Sequence, residues 1–261
     1  MIPEMRYTQI IAAMQADSTV KNSELVENLG VSQETVRRDL NHLERMGLIR
    51  RTAGGAILAE KAVSPPDSYT SFDHREHQNI TQKIEVANLA ANFVSEGQSL
   101  ALDSGTTALE LAKVLKRRFK TLTIVTNSLP VANELADAQG FTVILTGGII
   151  KRDERSLVSE MATLIFQQLS INIFFMTTCG VSADRGVTYQ RMDEMSVQMA
   201  MLDASDKAVL IADSSKIGVN SLVKMCDLDR ISMLITDKDL SEKHRLELSR
   251  LIKVVTAKGD E

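Results

Sequence analysis

From about residue 80 onward the chain repeats one rhythm: a short apolar run, a loop, an amphipathic helical stretch, then the next apolar run. The runs are SLALD, TLTIVTN, FTVILTGG, INIFFMTTCG, KAVLIADSS, DRISMLITD and a closing KVVTA. Runs of this length suit strands, and strands joined through helices cannot be simple hairpin partners. The pattern therefore predicts an α/β domain with a largely parallel sheet covered by helices on both faces. Ahead of the first run, Ile84, Ala87, Ala91 and Val94 mark a helix. Ligands of such sheets sit at the carboxyl ends of the strands, so the loops after the runs are the places to look for a site.

The first 58 residues have a different character. Ile10, Ile11 and Met14 put an apolar stripe on a first helix, and Leu25, Val26 and Leu29 do the same on a second that stops at Gly30. Ser32 can cap a third, whose Val36, Leu40 and Leu43 fall at i, i+4 and i+7 and form one buried face before Gly47. Residues 48–51 and 56–58 can pair as a hairpin across Gly54 and Gly55, because glycines readily supply the positive φ of a tight turn. The expected organisation is a winged helix-turn-helix over 1–58, a linker over 59–79 that contains Pro65-Pro66, and the α/β domain over 80–257.

Composition narrows the function. With 44% hydrophobic and 25% charged residues the chain reads as a soluble globular protein. No stretch approaches the roughly 18 apolar residues of a membrane span, so a cytoplasmic location and no membrane partner are expected. Cys179 and Cys226 stand alone, without a metal-binding spacing, and neither a disulfide framework nor any metal or cofactor is expected. The net charge of −4 excludes a polycation that coats nucleic acid. Locally the balance reverses: between Thr35 and Arg51 lie Arg37, Arg38, Arg45, Arg50 and Arg51 against Asp39 and Glu44.

On a helical wheel Arg38, Asn41 and Arg45 project opposite Val36, Leu40 and Leu43, with Arg37 on the flank. Ser32, Gln33 and Thr35 occupy the first turn, where hydroxyl, amide and backbone N–H groups can hold a phosphate. Gln33, Arg37 and Arg38 are placed to reach bases, and Arg51 lies in the wing. Asp39 can orient its two arginine neighbours through an ion pair. Spacing alone also allows arginines that merely solvate an exposed face.

The stretch VSQETVRRDLNHLERMGLIRRTAGGA resembles the signature of DeoR-type bacterial regulators, in which S-x-x-T-[IV]-R-R-D-L is followed by L-x-x-x-G and R-x-x-G-G. Every one of those positions is filled here. The segments LDSGTTALELA, TIVTNSLPVANEL, VILTGGIIKR, CGVSADRGVT and LIADSSKIG resemble that family's effector domain, whose fold is similar to pentose-phosphate isomerases and sugar-phosphate deaminases. The resemblance implies a repressor of carbohydrate uptake or catabolism, relieved by a phosphorylated sugar. Its partners would be double-stranded operator DNA, the sugar phosphate, and further copies of itself as a dimer or tetramer, since one helix-turn-helix reads only half a site.

For the effector, the segment Asp103-Ser104-Gly105-Thr106-Thr107 follows a strand and opens a helix, where backbone N–H groups and the helix dipole favour an anion. A merely capped helix is the other reading of the same residues. Asn127, Gly147 and Gly148 end two further strands, and Asn127 can serve a sugar hydroxyl or satisfy its own loop. Lys151, Arg152 and Lys216 can meet anionic oxygen or simply face water. Cys179-Gly180 reads as close packing, and Asp184 with Gly186 as a hairpin turn. Two positions depart from the family pattern: Ser159 where glycine is common, and Gln198 where lysine is common. An isomerase or deaminase would need an acid/base pair, and Asp103, Asp184, Glu194 and Lys216 form no recognisable one. A constitutive DNA binder whose second domain only oligomerises is the remaining alternative.

Overall fold

The computed structural model describes residues 6, 7, 9, 10, 14, 19–45, 49–52, 54–58 and 71–257. The chain forms two compact units, divided between Pro65 and Pro66. Residues 59–70 of the expected 59–79 linker lie outside the described residues, as do Ile11, Gly47, Leu48 and the side chain of Arg45.

In the first unit, β1 (Thr19–Lys21) leads directly into α1 (Asn22–Leu29), and α2 (Gln33–Arg45) follows after a short turn. Gly30 closes α1 in the left-handed conformation (φ 61°), its N–H returning to the Val26 carbonyl at 3.1 Å. Ser32 caps α2, its Oγ accepting the Thr35 N–H at 3.2 Å. β2 (Ile49–Thr52) and β3 (Gly55–Leu58) form the expected antiparallel hairpin, and β1 adds a third strand on the far side of β3. Ile10, Met14, Leu25, Leu29, Val36, Leu40 and Leu43 meet in one buried core, as the periodicity requires.

The second unit opens with α3 (Phe72–His77), where the sequence suggested linker. FDHREH has no apolar periodicity, but Phe72 is fully buried in the core and anchors the turn of helix. Next come α4 (Ile80–Ala90), β4 (Ser99–Leu102), α5 (Thr106–Arg118), β5 (Leu122–Thr126), α6 (Leu129–Leu135) and β6 (Phe141–Leu145). A small hairpin of β7 (Ile149–Lys151) and β8 (Ser156–Val158) precedes α7 (Glu160–Thr163) and β9 (Ile171–Met176). The chain continues through β10 (Gly180–Ser182), β11 (Gly186–Tyr189), α8 (Met192–Asp203), β12 (Ser205–Ile211), β13 (Val223–Cys226), β14 (Met233–Thr236), α9 (Glu242–Ser249) and β15 (Lys253–Thr256).

The seven apolar runs are the seven strands of one sheet, ordered β15-β14-β12-β9-β4-β5-β6, every pairing parallel. Alternation along the strands feeds two cores. Leu100, Leu102, Ile173 and Phe175 face the α4–α5–α6 side, whereas Ala101, Phe174 and Met176 face the α8–α9 side. Ile84, expected on the buried stripe of α4, is exposed, and Val86 and Ala90 take the inward positions with Ala87. From β4 the chain builds outward through β5 and β6, then returns to place β9 on β4's other edge. That reversal is the topological switch point at which such sheets open a crevice.

Candidate functional site: a reading helix and a strand-end cavity

On α2 the outward side chains take the positions the wheel gave them. Arg37 and Arg38 are 59% and 77% exposed, while Val36, Leu40 and Leu43 are buried beneath. The acid that orients both arginines is Glu34, not Asp39. Arg37 grips Glu34 with two bonds of 2.9 Å, and Arg38 Nε reaches it at 3.3 Å. The Arg37 guanidinium bonds hold the Glu34 carboxyl below its usual range. Asp39 is turned inward, where it accepts Arg6 Nε at 2.6 Å and Nη2 at 3.0 Å. Its place next to two arginines in sequence misled, because consecutive residues on a helix point 100° apart and only i±3 or i±4 partners meet. Arg51 Nη1 donates to Asn41 Oδ1 at 2.6 Å, and its N–H to Glu44 at 2.8 Å. These two expected DNA contacts thus also brace the wing against the helix. Gln33 is exposed in the first turn, with Ser32 and Thr35 sharing a hydroxyl bond of 2.9 Å.

In the second unit a cavity lies where β4 and β9 end. Gly105, Thr106 and Thr107 line it with Thr177, Thr178, Tyr189, Lys83, Arg75, Asn79 and Lys216. Gly105 is required there, since a Cβ would lie 2.4 Å from Thr177 Oγ1. The first bond of α5 runs from the Leu109 N–H to the Gly105 carbonyl, which leaves the N–H groups of Thr106, Thr107 and Ala108 without an intrahelical acceptor. Of the expected effector residues, Gly105, Thr106, Thr107 and Lys216 line the cavity.

The others do different work. Asp103 is fully buried beneath the loop, and its carboxylate accepts Ser104 N–H at 2.7 Å, Thr177 N–H and Oγ1 at 2.9 and 2.7 Å, and Gln198 Nε2 at 2.8 Å. Ser104, equally buried, belongs to this knot. Asn127 ties β5 to β8 by donating to the Leu157 carbonyl at 3.1 Å. Gly147 and Gly148 form the turn into β7 with φ of 74° and 118°. Arg152 is exposed at the tip of the β7–β8 hairpin and does not line the cavity, because the turn directs Glu154 inward instead. Lys151 pairs with Asp193.

Sequence reasoning missed the buried cations. Lys83 is 4% exposed, and burial, opposed by nearby Asp213, brings its ammonium down to about 8. Arg75 pairs with Glu154, which also takes Arg191 at 2.9 Å; Arg191 in turn holds Glu194 at 2.8 Å. Burial raises the Glu154 carboxyl despite its two guanidinium partners. Glu194, the former acid/base candidate, is locked between Arg191 and Ser156 Oγ. Ser159 sits at φ 104°, ψ 167°, a region open essentially to glycine alone, which explains why glycine is common there. Among the described residues no group of three or more metal-type ligands is assembled, and no helix is long and apolar enough to cross a membrane.

Fold and site together define a helix-turn-helix regulator whose second unit is an α/β sensor. Residues 6–62 match the DeoR-like helix-turn-helix domain, and residues 78–238 match the DeoR C terminal sensor domain. A putative aga operon transcriptional repressor of Escherichia coli O157:H7 is 30% identical over 90% of this chain and 86% of its own length. The regulator GolR of Listeria innocua is 32% identical over 93% of each. The ribose 5-phosphate isomerase A of Methanocaldococcus jannaschii aligns over 53% of this chain and 55% of its own, at 15% identity and a TM-score of 0.39. The chain belongs to the DeoR family of transcriptional regulators and is a DNA-binding regulator rather than an enzyme.

Proposed function

We propose that this regulator represses a carbohydrate uptake or catabolism operon and is released from its operator by a phosphorylated sugar bound in the strand-end cavity. The observation that carries the reading is that one cavity is lined by Thr106 and Thr107, which bring unclaimed α5 N–H groups and two hydroxyls, and by three cationic side chains, Lys83, Arg75 and Lys216. Helix dipole, open backbone donors and buried positive charge all favour a phosphate. Asn79 supplies a neutral amide for a sugar hydroxyl. On α2, Gln33, Arg37, Arg38 and Arg45 would read bases and phosphates, with Ser32, Thr35, Asn41 and Arg51 fixing the helix on the duplex. A homo-oligomer would match repeated half-sites.

The test is operator binding by fluorescence anisotropy on the DNA flanking the protein's own gene, titrated with triose, pentose and hexose phosphates and their unphosphorylated counterparts. One phosphorylated sugar should weaken binding at least tenfold and raise the melting temperature of the protein, while its dephosphorylated form does neither. Equal responses to both forms, or none to any phosphate, would refute the effector assignment.

A further inference from the structure

One wall of the cavity is the stretch of chain that enters the sensor unit. Arg75, Gln78, Asn79 and Lys83 all line it, and all lie in α3, in α4 or in the turn between them. Cavity residues also hold that turn. The Lys83 ammonium donates to the Arg75 carbonyl, the same oxygen that accepts the Gln78 N–H at 3.2 Å and ends α3. Asn79, in the left-handed conformation, donates to Asp213 Oδ1 and Ser215 Oγ, each at 3.1 Å. Only residues 59–71 separate α3 from β3 of the DNA-binding unit along the chain.

A cation in that position has two calls on it. Asp213 and Glu110 favour its charge, while Lys216 and Arg75 oppose it. For an ammonium the neutral Arg75 carbonyl is a weaker acceptor than a phosphate oxygen, whose negative charge adds direct Coulomb attraction between two ions. An anion placed at the open N–H groups of α5 would therefore compete for the same ammonium.

Resting on the reading of this cavity as the effector site, we propose that a bound phosphate draws the Lys83 ammonium off the Arg75 carbonyl and loosens the α3–α4 turn. Lys83 is then a positioning residue that converts ligand binding into a change in the segment tethered to the DNA-binding unit. The anion can shift that equilibrium because it interacts differently with the two positions of one side chain.

Hydrogen–deuterium exchange on the full chain, with inorganic phosphate as the probe at tens of millimolar, tests this. Phosphate should slow exchange at residues 106–108 and speed it at least tenfold at 75–79. Lys83→Met should show the fast 75–79 exchange without phosphate and no further change there when phosphate is added. Lys83→Arg, which keeps the charge, should respond as the natural chain does and guards against a folding defect. Slowing at 106–108 with 75–79 unmoved would overturn the relay and leave the effector site standing. No protection at 106–108 would remove both.

Discussion

The reading helix and the strand-end cavity both rely on cationic side chains, yet one keeps them in water and the other withdraws them from it. Arg37 and Arg38 share a half-exposed Glu34 at the surface, an arrangement that solvent and salt make cheap to exchange. Arg75 and Arg191 share Glu154, which is 1% exposed, where losing one partner strands a buried charge. On the proposed function, exposed pairs suit a surface that trades a carboxylate for DNA phosphates, and buried pairs suit a site that changes between two arrangements on binding its effector.

The contrast can be broken most severely at Glu154. Glu154→Ala removes the buried carboxylate that Arg75 and Arg191 share, leaving Arg191 to Glu194, and should cost about 3–5 kcal/mol, lowering the Tm of the sensor unit by about 10 °C in calorimetry. At the exposed pole, Arg37→Ala with Arg38→Ala should weaken specific operator binding by about 2–4 kcal/mol and reduce the salt slope, while thermal stability stays within about 0.5 kcal/mol of the parent. Stability loss without loss of binding would reverse the assignment of roles.

Acid–base behaviour sharpens the same comparison. Burial sets the Lys83 ammonium at about 8, below its usual range. Phosphate binding needs the protonated form, so affinity measured by calorimetry should fall as pH rises from 8, by up to about tenfold per unit. Lys83 itself gives the opposite sign for folding: the unfolded chain binds its proton up to higher pH than the folded one, so its contribution to stability rises between pH 8 and about 10.4. The surface arginines should leave operator binding flat over that window.

Two smaller effects complete the series. Ser159→Gly relieves a left-handed strain and should stabilise the sensor unit by about 1 kcal/mol after the added chain entropy of glycine is counted. Glu34→Gln should change stability by no more than about 0.5 kcal/mol and strengthen DNA binding slightly by freeing two guanidinium groups. A destabilisation like that of Glu154→Ala would mean the surface pair is not cheap after all.

Much of this was readable from side-chain rhythm. Seven apolar runs announced seven strands, and Val36, Leu40 and Leu43 fixed which face of α2 turns outward. The Gly105-Thr106-Thr107 turn and Lys216 line the cavity, and their place in loops that follow strands is what put them among the expected residues. What escaped depended on approach between distant segments. Lys83 looks like any charge on an amphipathic helix until α4 packs and buries it. Asp39 seemed to belong with its arginine neighbours, but Arg6 claims it from another helix. Phe72 alone anchors α3, and one aromatic residue in a charged hexapeptide has no period to detect. Arg152 and Glu154 are both charged and two residues apart, and only the hairpin decides which is turned inward.

The order of strands also governs how the chain can be made. β4 lies between β5, which follows closely in sequence, and β9, which comes after the whole β5–β8 stretch. During synthesis the β4–β5–β6 half-sheet can form while β4 still lacks its second neighbour, and at ribosomal speeds that interval lasts on the order of seconds. An unpaired, apolar SLAL edge is then open to any passing strand, so substitutions that delay β9 should appear first as lost yield rather than as lost regulation.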